Sequence, residues 1–385
     1  MSNNNNIRMP LALRLGSSSF LIFWCLLAAF PIFWIAVMSV KLPIDAFNSN
    51  PLYVILGPTT VSQGKGLSFL DISIGLAIIV FTIKFSTRRL GTAVKKFSPG
   101  NLLWVGWIIG SLTTGLAFIV IFFGFLPPIL EFFNEISGVL GTDIIGFSAE
   151  HYSTVWLERG FIKNFQNSLL VTTGVVTISL TFGTLAGYAL SRTGSNFAFW
   201  ILIAALIFRS LPHSVLVAGY LPFFMNSASI LQPIFGDSAP TLYGMPWATI
   251  AVLVAINQPF TIWMLRSFFQ NIPSDLDEAA RIDGCSHFQA FRRVIMPVMW
   301  PGVITTGLFS FLLGYNDFLV TSLLLEAQNT TMVPAIATMF NMETTTTDQV
   351  VAVAAAVSII APLFFLVMFF HRQIVSGLTI GAVKG

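Results

Sequence analysis

The residues with the means to do chemistry fall into two groups. One is a dense polar stretch, Asp275–Pro297; the other is a handful of polar groups buried in apolar runs. Neither holds paired carboxylates, a Ser-His-Asp set or a His/Cys cluster with metal spacing, and His151, His213, His287 and His371 are scattered. Gly64-Lys65 lacks the glycine spacing and following hydroxyl of a phosphate-binding loop, so any ATP chemistry must come from another chain. Cys25 lies in an apolar run and Cys285 in the polar stretch, a separation that suggests neither a disulfide nor a metal site. Assembled catalysis is therefore not expected. The chemistry on offer is docking and passage.

The isolated polar groups are Arg209, His213, Asp317 and, near one end of a run, Asp71. A charge at the centre of a membrane helix costs about 2.5–3.5 kcal/mol on insertion scales, so such groups face a bundle interior or a watery cavity. Tyr315, Asn316 and Asp317 together offer a stacking ring and hydrogen-bonding groups, which suit a sugar-like solute. The alternative is a structural pair, Arg209 with Asp317 or Asp71. Pro212 and Pro222 point to an irregular span whose backbone carbonyls line a path.

The polar stretch has helix-start chemistry. Pro273 breaks the preceding run, and Ser274 is placed to cap, with Asp277 completing a capping box in place of Glu or Gln. Asp275, Asp277 and Glu278 put negative charge in the first turn, where the helix dipole favours it. Gly284 is a natural stop. A second helical segment, Ser286–Ile295, brings Phe288, Phe291 and Val294 to one spacing and leaves Arg292 and Arg293 at the membrane edge. Two short helices joined at a glycine are expected, with small alanines on a face open to close approach.

These groups need positioning elements, and composition says which. Of 385 residues 55% are hydrophobic and only 9% charged. Soluble domains carry about 25% charged residues, so this is an integral membrane protein. A span takes about 20 apolar residues, and eight stretches qualify: Ser18–Val40, Leu67–Phe85, Leu102–Leu126, Phe165–Leu190, Phe197–Leu221, Trp247–Leu265, Gly302–Leu325 and Val350–Phe370. The first is longer than a signal-peptide core and no small-residue cleavage site follows, so it is read as retained. With the N-terminus inside, the inner segments hold Arg8, Arg14, Lys84, Arg88, Arg89, Lys95, Lys96, Arg192, Arg266, Arg281, Arg292, Arg293, Arg372 and Lys384. The outer ones hold only Lys41, Lys65, Arg159 and Lys163. The positive-inside bias puts both termini and the Asp275–Pro297 stretch in the cytoplasm. The second and third spans form a hairpin around a basic turn with Arg88, Arg89, Lys95 and Lys96, suited to anionic lipid. An acidic external segment follows, with an amphipathic piece at Ile129–Val139.

At this point a resemblance becomes specific. Glu278-Ala-Ala-Arg-Ile-Asp-Gly284, with Ile295-Met-Pro297 eleven residues later, resembles the EAA loop of ABC-importer permeases. Its form is closest to the carbohydrate branch, the maltose-permease (MalG-like) family. Phe147–Tyr152, Asn167-Ser-Leu169, Gly187-Tyr-Ala-Leu-Ser-Arg192, Tyr315-Asn-Asp-Phe318 and the tail Gly377–Gly385 agree with it. The likeness leaves out Lys41 to about Gly146; that extra hairpin is similar to longer permeases of the alpha-glucoside type.

The resemblance implies an all-α polytopic membrane protein with about eight transmembrane helices, including a six-helix ABC-importer permease core. The expected division is a tail over 1–17, the first span over 18–40, an inserted hairpin over 41–146, the core over 147–371 with its coupling loop at 272–297, and a cytoplasmic tail over 372–385. It also implies that Asp277, Glu278, Ala279, Ala280, Asp283, Gly284 and Arg292 couple to an ATPase. The tail residues Gly377, Leu378, Gly381 and Lys384 are expected to contact that ATPase. Arg209, Tyr315, Asn316 and Asp317 are expected along the substrate path.

The implied partners are a second permease subunit in a heterodimer, two ABC ATPase subunits that hold ATP and Mg, an extracytoplasmic solute-binding protein, and membrane lipid. This chain is expected to bind no cofactor, metal or nucleic acid, and to sit in a bacterial cytoplasmic (inner) membrane as a non-enzymatic transport subunit. An ABC permease for a non-sugar solute is the nearest alternative. An ion-coupled secondary transporter needs paired intramembrane carboxylates or broken helices, for which Asp71 and Asp317 are few and peripheral.

Overall fold

The computed structural model describes residues 11–78, 142–341 and 345–382. Among them, five helices are long and apolar enough to cross a membrane, or six if one bent pair counts as a span. Of the eight expected, Leu102–Leu126 lies outside the described residues, as do the basic turn, the end of Leu67–Phe85 and the Ile129–Val139 piece. The chain divides into two compact units, one reaching Ser153 and including Thr345–Ala354, the other built from Thr154 and from Ala355 onward.

The first unit begins with α1 (Leu11–Met38), whose Phe20, Trp24, Phe30 and Phe33 are all exposed. The sequence leads one to expect only an external segment of the inserted hairpin after it. It is folded. Short proline-started turns lead to a two-stranded antiparallel ladder, β1 (Gly66–Ser68) with β2 (Asp143–Gly146), which pairs Gly66 with Gly146 and Leu67 with Ile145. The expected span at Leu67 therefore starts as a strand, with a helix that begins at Phe69 and is followed to Ile78, where this stretch of described residues ends.

Lys41, 1% exposed, is the largest side chain buried this completely among the described residues. Its ammonium donates to the Gly146 carbonyl, and burial pushes its pKa down against the pull of Asp45. Burial also opposes ionisation of Asp45, but hydrogen bonds from Thr60 and Thr59 outweigh it and hold this carboxyl below its usual range.

In the second unit, α2 (Phe161–Arg192) packs most extensively against α6 (Pro246–Gln270). Small residues make that possible, as in membrane helix pairs generally. A Cβ at Gly187 would stand 3.0 Å from the Arg266 backbone nitrogen, so the two backbones meet there. Between these helices run α3 (Asn196–Arg209), α4 (His213–Met225) and α5 (Ser227–Phe235). The single span expected over Phe197–Leu221 is instead two helices bent by 94°. Pro212, the residue before α4, lacks a backbone donor and explains the break.

The polar stretch follows as α7 (Asp275–Ile282) and α8 (His287–Ala290), the latter running through a π turn into α9 (Met296–Tyr315). Gly302–Leu325 was expected to continue unbroken. The helix ends at Tyr315, and after Asn316-Asp317-Phe318 a short α10 (Leu319–Leu324) begins. Then come α11 (Met332–Asn341) and α12 (Thr346–Ala382). Two apolar cores hold the unit. Val171, Val175, Val217, Leu253, Ile256 and Val320 form one; Leu265, Phe269, Ile272, Ile295 and Met299 form the other, directly beneath the polar stretch.

Candidate functional site: the coupling helix and its anchor

The helix α7 ends as the sequence predicts. Gly284 has φ +87°, left-handed backbone that suits glycine, and Cys285 N bonds the Ala280 carbonyl across the turn. Its start is a correction. Ser274 has helical angles and makes no cap bond to the helix; its hydroxyl lies 3.5 Å from the neighbouring Asp275 carboxylate. The capping box with Asp277 does not form because that carboxylate is engaged elsewhere. A capping box does form one helix later. Ser286 accepts from Gln289 N at 3.3 Å, and the Gln289 side chain accepts from Ser286 N at 2.9 Å.

The expected coupling residues divide by exposure. Glu278, Ala279, Asp283, Gly284 and Arg292 are exposed, whereas Ala280 is 5% exposed and packs inward. Ile282 is 86% exposed, a large apolar side chain left open at the end of a polar helix. Beside it, Glu278, Arg281, Ile282, Cys285, Ser286 and His287 line an open depression of about 640 Å³.

Asp277 faces the other way. Tyr188 donates to its Oδ1 at 2.6 Å, and Arg192 Nε stands 2.7 Å from its Oδ2. The Arg192 contact is an ion pair whose N–H does not point along the contact line, so it holds by charge more than by directed bonding. Arg192 also donates from Nη1 to the Ile272 carbonyl at 3.1 Å and, more weakly, to Phe269 O at 3.4 Å. The Tyr188 ring packs on Phe269 and Phe291, with centroids 5.4 and 4.9 Å away. Tyr188 and Arg192 stand in the motif Gly187–Arg192, but sequence reasoning gave them no role. The readable signal was a basic residue at the end of one apolar span and an acidic helix start just past the end of another.

The expected path residues do not assemble as one group. Tyr315 is 3% exposed; its ring stacks on Phe311 at 5.0 Å and its hydroxyl donates to the Ile359 carbonyl, which removes it as an open stacking platform. Asn316 is exposed at the helix break. Asp317 starts α10, accepting from Thr321 N at 2.9 Å, and has His213 within electrostatic reach. The Arg209 guanidinium lies over the Phe260 ring at 4.7 Å, a cation–π contact rather than the expected pairing with Asp317. In the tail, Gly377, Leu378 and Gly381 lie within the continuous helix α12; Lys384 is outside the described residues. Asn167 and Ser168, quoted from the family motif, pin the loop before α11. Asn167 donates to Thr330 O at 3.2 Å and Ser168 accepts from Met332 N at 2.8 Å.

The family described as "Binding-protein-dependent transport system inner membrane component" matches residues 179–380, which include α7, α8, the Tyr188–Arg192–Asp277 contacts and the broken spans. The chain belongs to that family. The permease is 30% identical to a diacetylchitobiose uptake system permease protein of Streptomyces coelicolor, over 72% of this chain and 99% of the relative. It is also 30% identical to a trehalose/maltose transport system permease protein of Thermococcus litoralis, over 72% of this chain and 96% of that one. A trehalose transport system permease protein of Mycobacterium tuberculosis is 32% identical over 60% of this chain and 84% of its own length. The permease is thus a multi-span component of an inner membrane transport system. The part of its first unit up to Ser153 lies outside the matched residues, whereas Thr345–Ala354 lies within them.

Proposed function

We propose that this permease is the transmembrane subunit of an ATP-binding-cassette importer that moves a carbohydrate inward, driven by ATP hydrolysis on separate subunits. The observation that carries the reading is the exposed face of α7. Glu278, Ala279, Arg281 and Ile282 are presented to water on a glycine-terminated helix whose opposite side is anchored to a membrane span. An idle cytoplasmic loop has no need of either property. The carbohydrate class is supported by the sugar permeases it is similar to, and the cytoplasmic position of α7 by the distribution of basic residues.

In this reading an extracytoplasmic binding protein delivers the solute, and a second permease completes the pore as a heterodimer. Two ATPase subunits, holding ATP and Mg, seat α7 with Asp283, Gly284 and Arg292 near the contact. The tail over Gly377, Leu378, Gly381 and Lys384 adds to that contact. Asn316, Asp317 and Arg209 are the path candidates; the permease itself transports without catalysing a reaction.

The test is uptake of labelled maltose, trehalose and diacetylchitobiose by a host lacking its own systems. The permease is expressed together with a candidate second permease, ATPase and binding protein. Glu278→Arg is expected to abolish both uptake and copurification of the ATPase at unchanged membrane level. Uptake that survives Glu278→Arg and follows an ion gradient instead contradicts the reading.

A further inference from the structure

We infer that Asp277 works by holding rather than by touching: Tyr188, Arg192 and Asp277 form an internal latch that makes the coupling helix move as one body with the span Phe161–Arg192. The inference rests on the importer reading above and names the element that receives the motion.

Four observations carry it. Both oxygens of Asp277 are engaged from within the chain, at 2.6 Å by Tyr188 and 2.7 Å by Arg192, and its side chain is only 15% exposed. A carboxylate so placed presents no free oxygen to a partner. Arg192 reaches the carbonyls of Phe269 and Ile272 as well, so one guanidinium ties the end of α6 to the start of α7. Tyr188 wedges its ring between Phe269 and Phe291, which flank α7 on either side in sequence. Finally, α7 has eight residues and its Ser274 provides no cap. Isolated helices shorter than about 12–15 residues are marginal in water, so its orientation depends on what it is fastened to.

A push received at the Glu278 face therefore leaves through Asp277 into α2, which at Gly187 already lies against the α6 backbone. Two spans move with one helix. Tyr188, Arg192 and Asp277 are positioning residues in this account.

The experiment uses the full complex in lipid nanodiscs with maltose and the binding protein. It reads ATPase copurification and the ratio of stimulated to basal ATP hydrolysis. Asp277→Asn is expected to keep the ATPase subunits bound while the ratio falls by about tenfold, inside the 5–150-fold range typical of coupling between sites. The charge exchange Arg192→Asp with Asp277→Arg restores the ion pair but not the bonds from Arg192 to the Ile272 and Phe269 carbonyls or from Tyr188 to Asp277. It is therefore expected to recover part of the ratio lost in Arg192→Asp alone, a rescue that a general structural defect does not allow. Tyr188→Phe, which keeps the ring and removes one hydrogen bond, is expected to lower the ratio by about threefold with normal copurification, and it decides the matter if Asp277→Asn fails to fold.

Loss of copurification in Asp277→Asn overturns the latch and makes Asp277 a direct contact. A wild-type ratio in Tyr188→Phe, or a folded charge exchange that shows no recovery, overturns it equally. Glu278→Arg separates the two levels: ATPase still bound to that variant is a failure of the importer reading itself.

Discussion

At the scale of single residues, the permease places ionisable groups where only specific partners tolerate them. His151 is 5% exposed, and its Nε2–H donates to the Lys41 carbonyl at 2.9 Å, which fixes the neutral tautomer. Burial pushes its pKa below 6.5, outweighing the hydrogen bond and the nearby Glu150; Lys65 adds to the depression. With the folded value depressed, the stability tied to the neutral ring is fully present above 6.5. It is lost as pH falls through 6.5 towards the folded value, because the unfolded chain binds the proton first. Thermal melting of the purified permease is expected to fall between about pH 7.5 and 5.5, and His151→Gln, which keeps a donor and cannot titrate, to flatten that fall. Equal slopes for the two proteins contradict a buried neutral His151.

At the scale of elements, the question is what fixes the two short polar helices α7 and α8. Serine at a helix start is ambiguous in sequence, since Ser274 and Ser286 both precede helical segments. The structure separates them. Ser286 caps, whereas Ser274 is released because the carboxylate that would complete its box, Asp277, is taken by Arg192 and Tyr188. Ser286→Ala is therefore expected to destabilise the coupling region by about 0.5–2 kcal/mol, and Ser274→Ala by much less. Hydrogen exchange of the amides over 286–290 distinguishes them; equal acceleration in both variants sinks the assignment.

The helix ends were legible for the same reason the starts were not. Gly284 must stop α7 because its φ of +87° is open to glycine, a local fact. The anchor of Asp277 is a long-range fact between residues far apart in sequence. The breaks at Pro212 and Asn316–Phe318 fall between. The prolines signalled irregularity, but the hydropathy that marks a span does not record a 94° bend.

At the scale of the molecule, apolar composition and spacing revealed the helical membrane architecture, and the Glu278–Gly284 motif revealed the family. The folded region around Lys41 was not legible. Its ladder joins Gly66 to Gly146 across a long insertion, and its buried residues mix Lys41, Asp45, Thr60 and His151 with only a few apolar ones such as Ala46 and Val54. Pattern reading finds hydrophobic periodicity and passes over a core of that kind. The division that results is simple: one unit carries the ladder around Lys41, and the other, which holds most of the residues matched to the family, carries α7, the Tyr188–Arg192–Asp277 contacts and the broken spans.

The claim on which the rest depends is that the exposed face of α7 meets an ATPase. Ala279, exposed beside Glu278, is the position from which to measure it. A photo-crosslinker placed at 279 in the assembled complex is expected to capture the ATPase subunit, with a yield that changes when ATP is bound. Illumination that yields no ATPase adduct from a complex still competent for uptake contradicts the account.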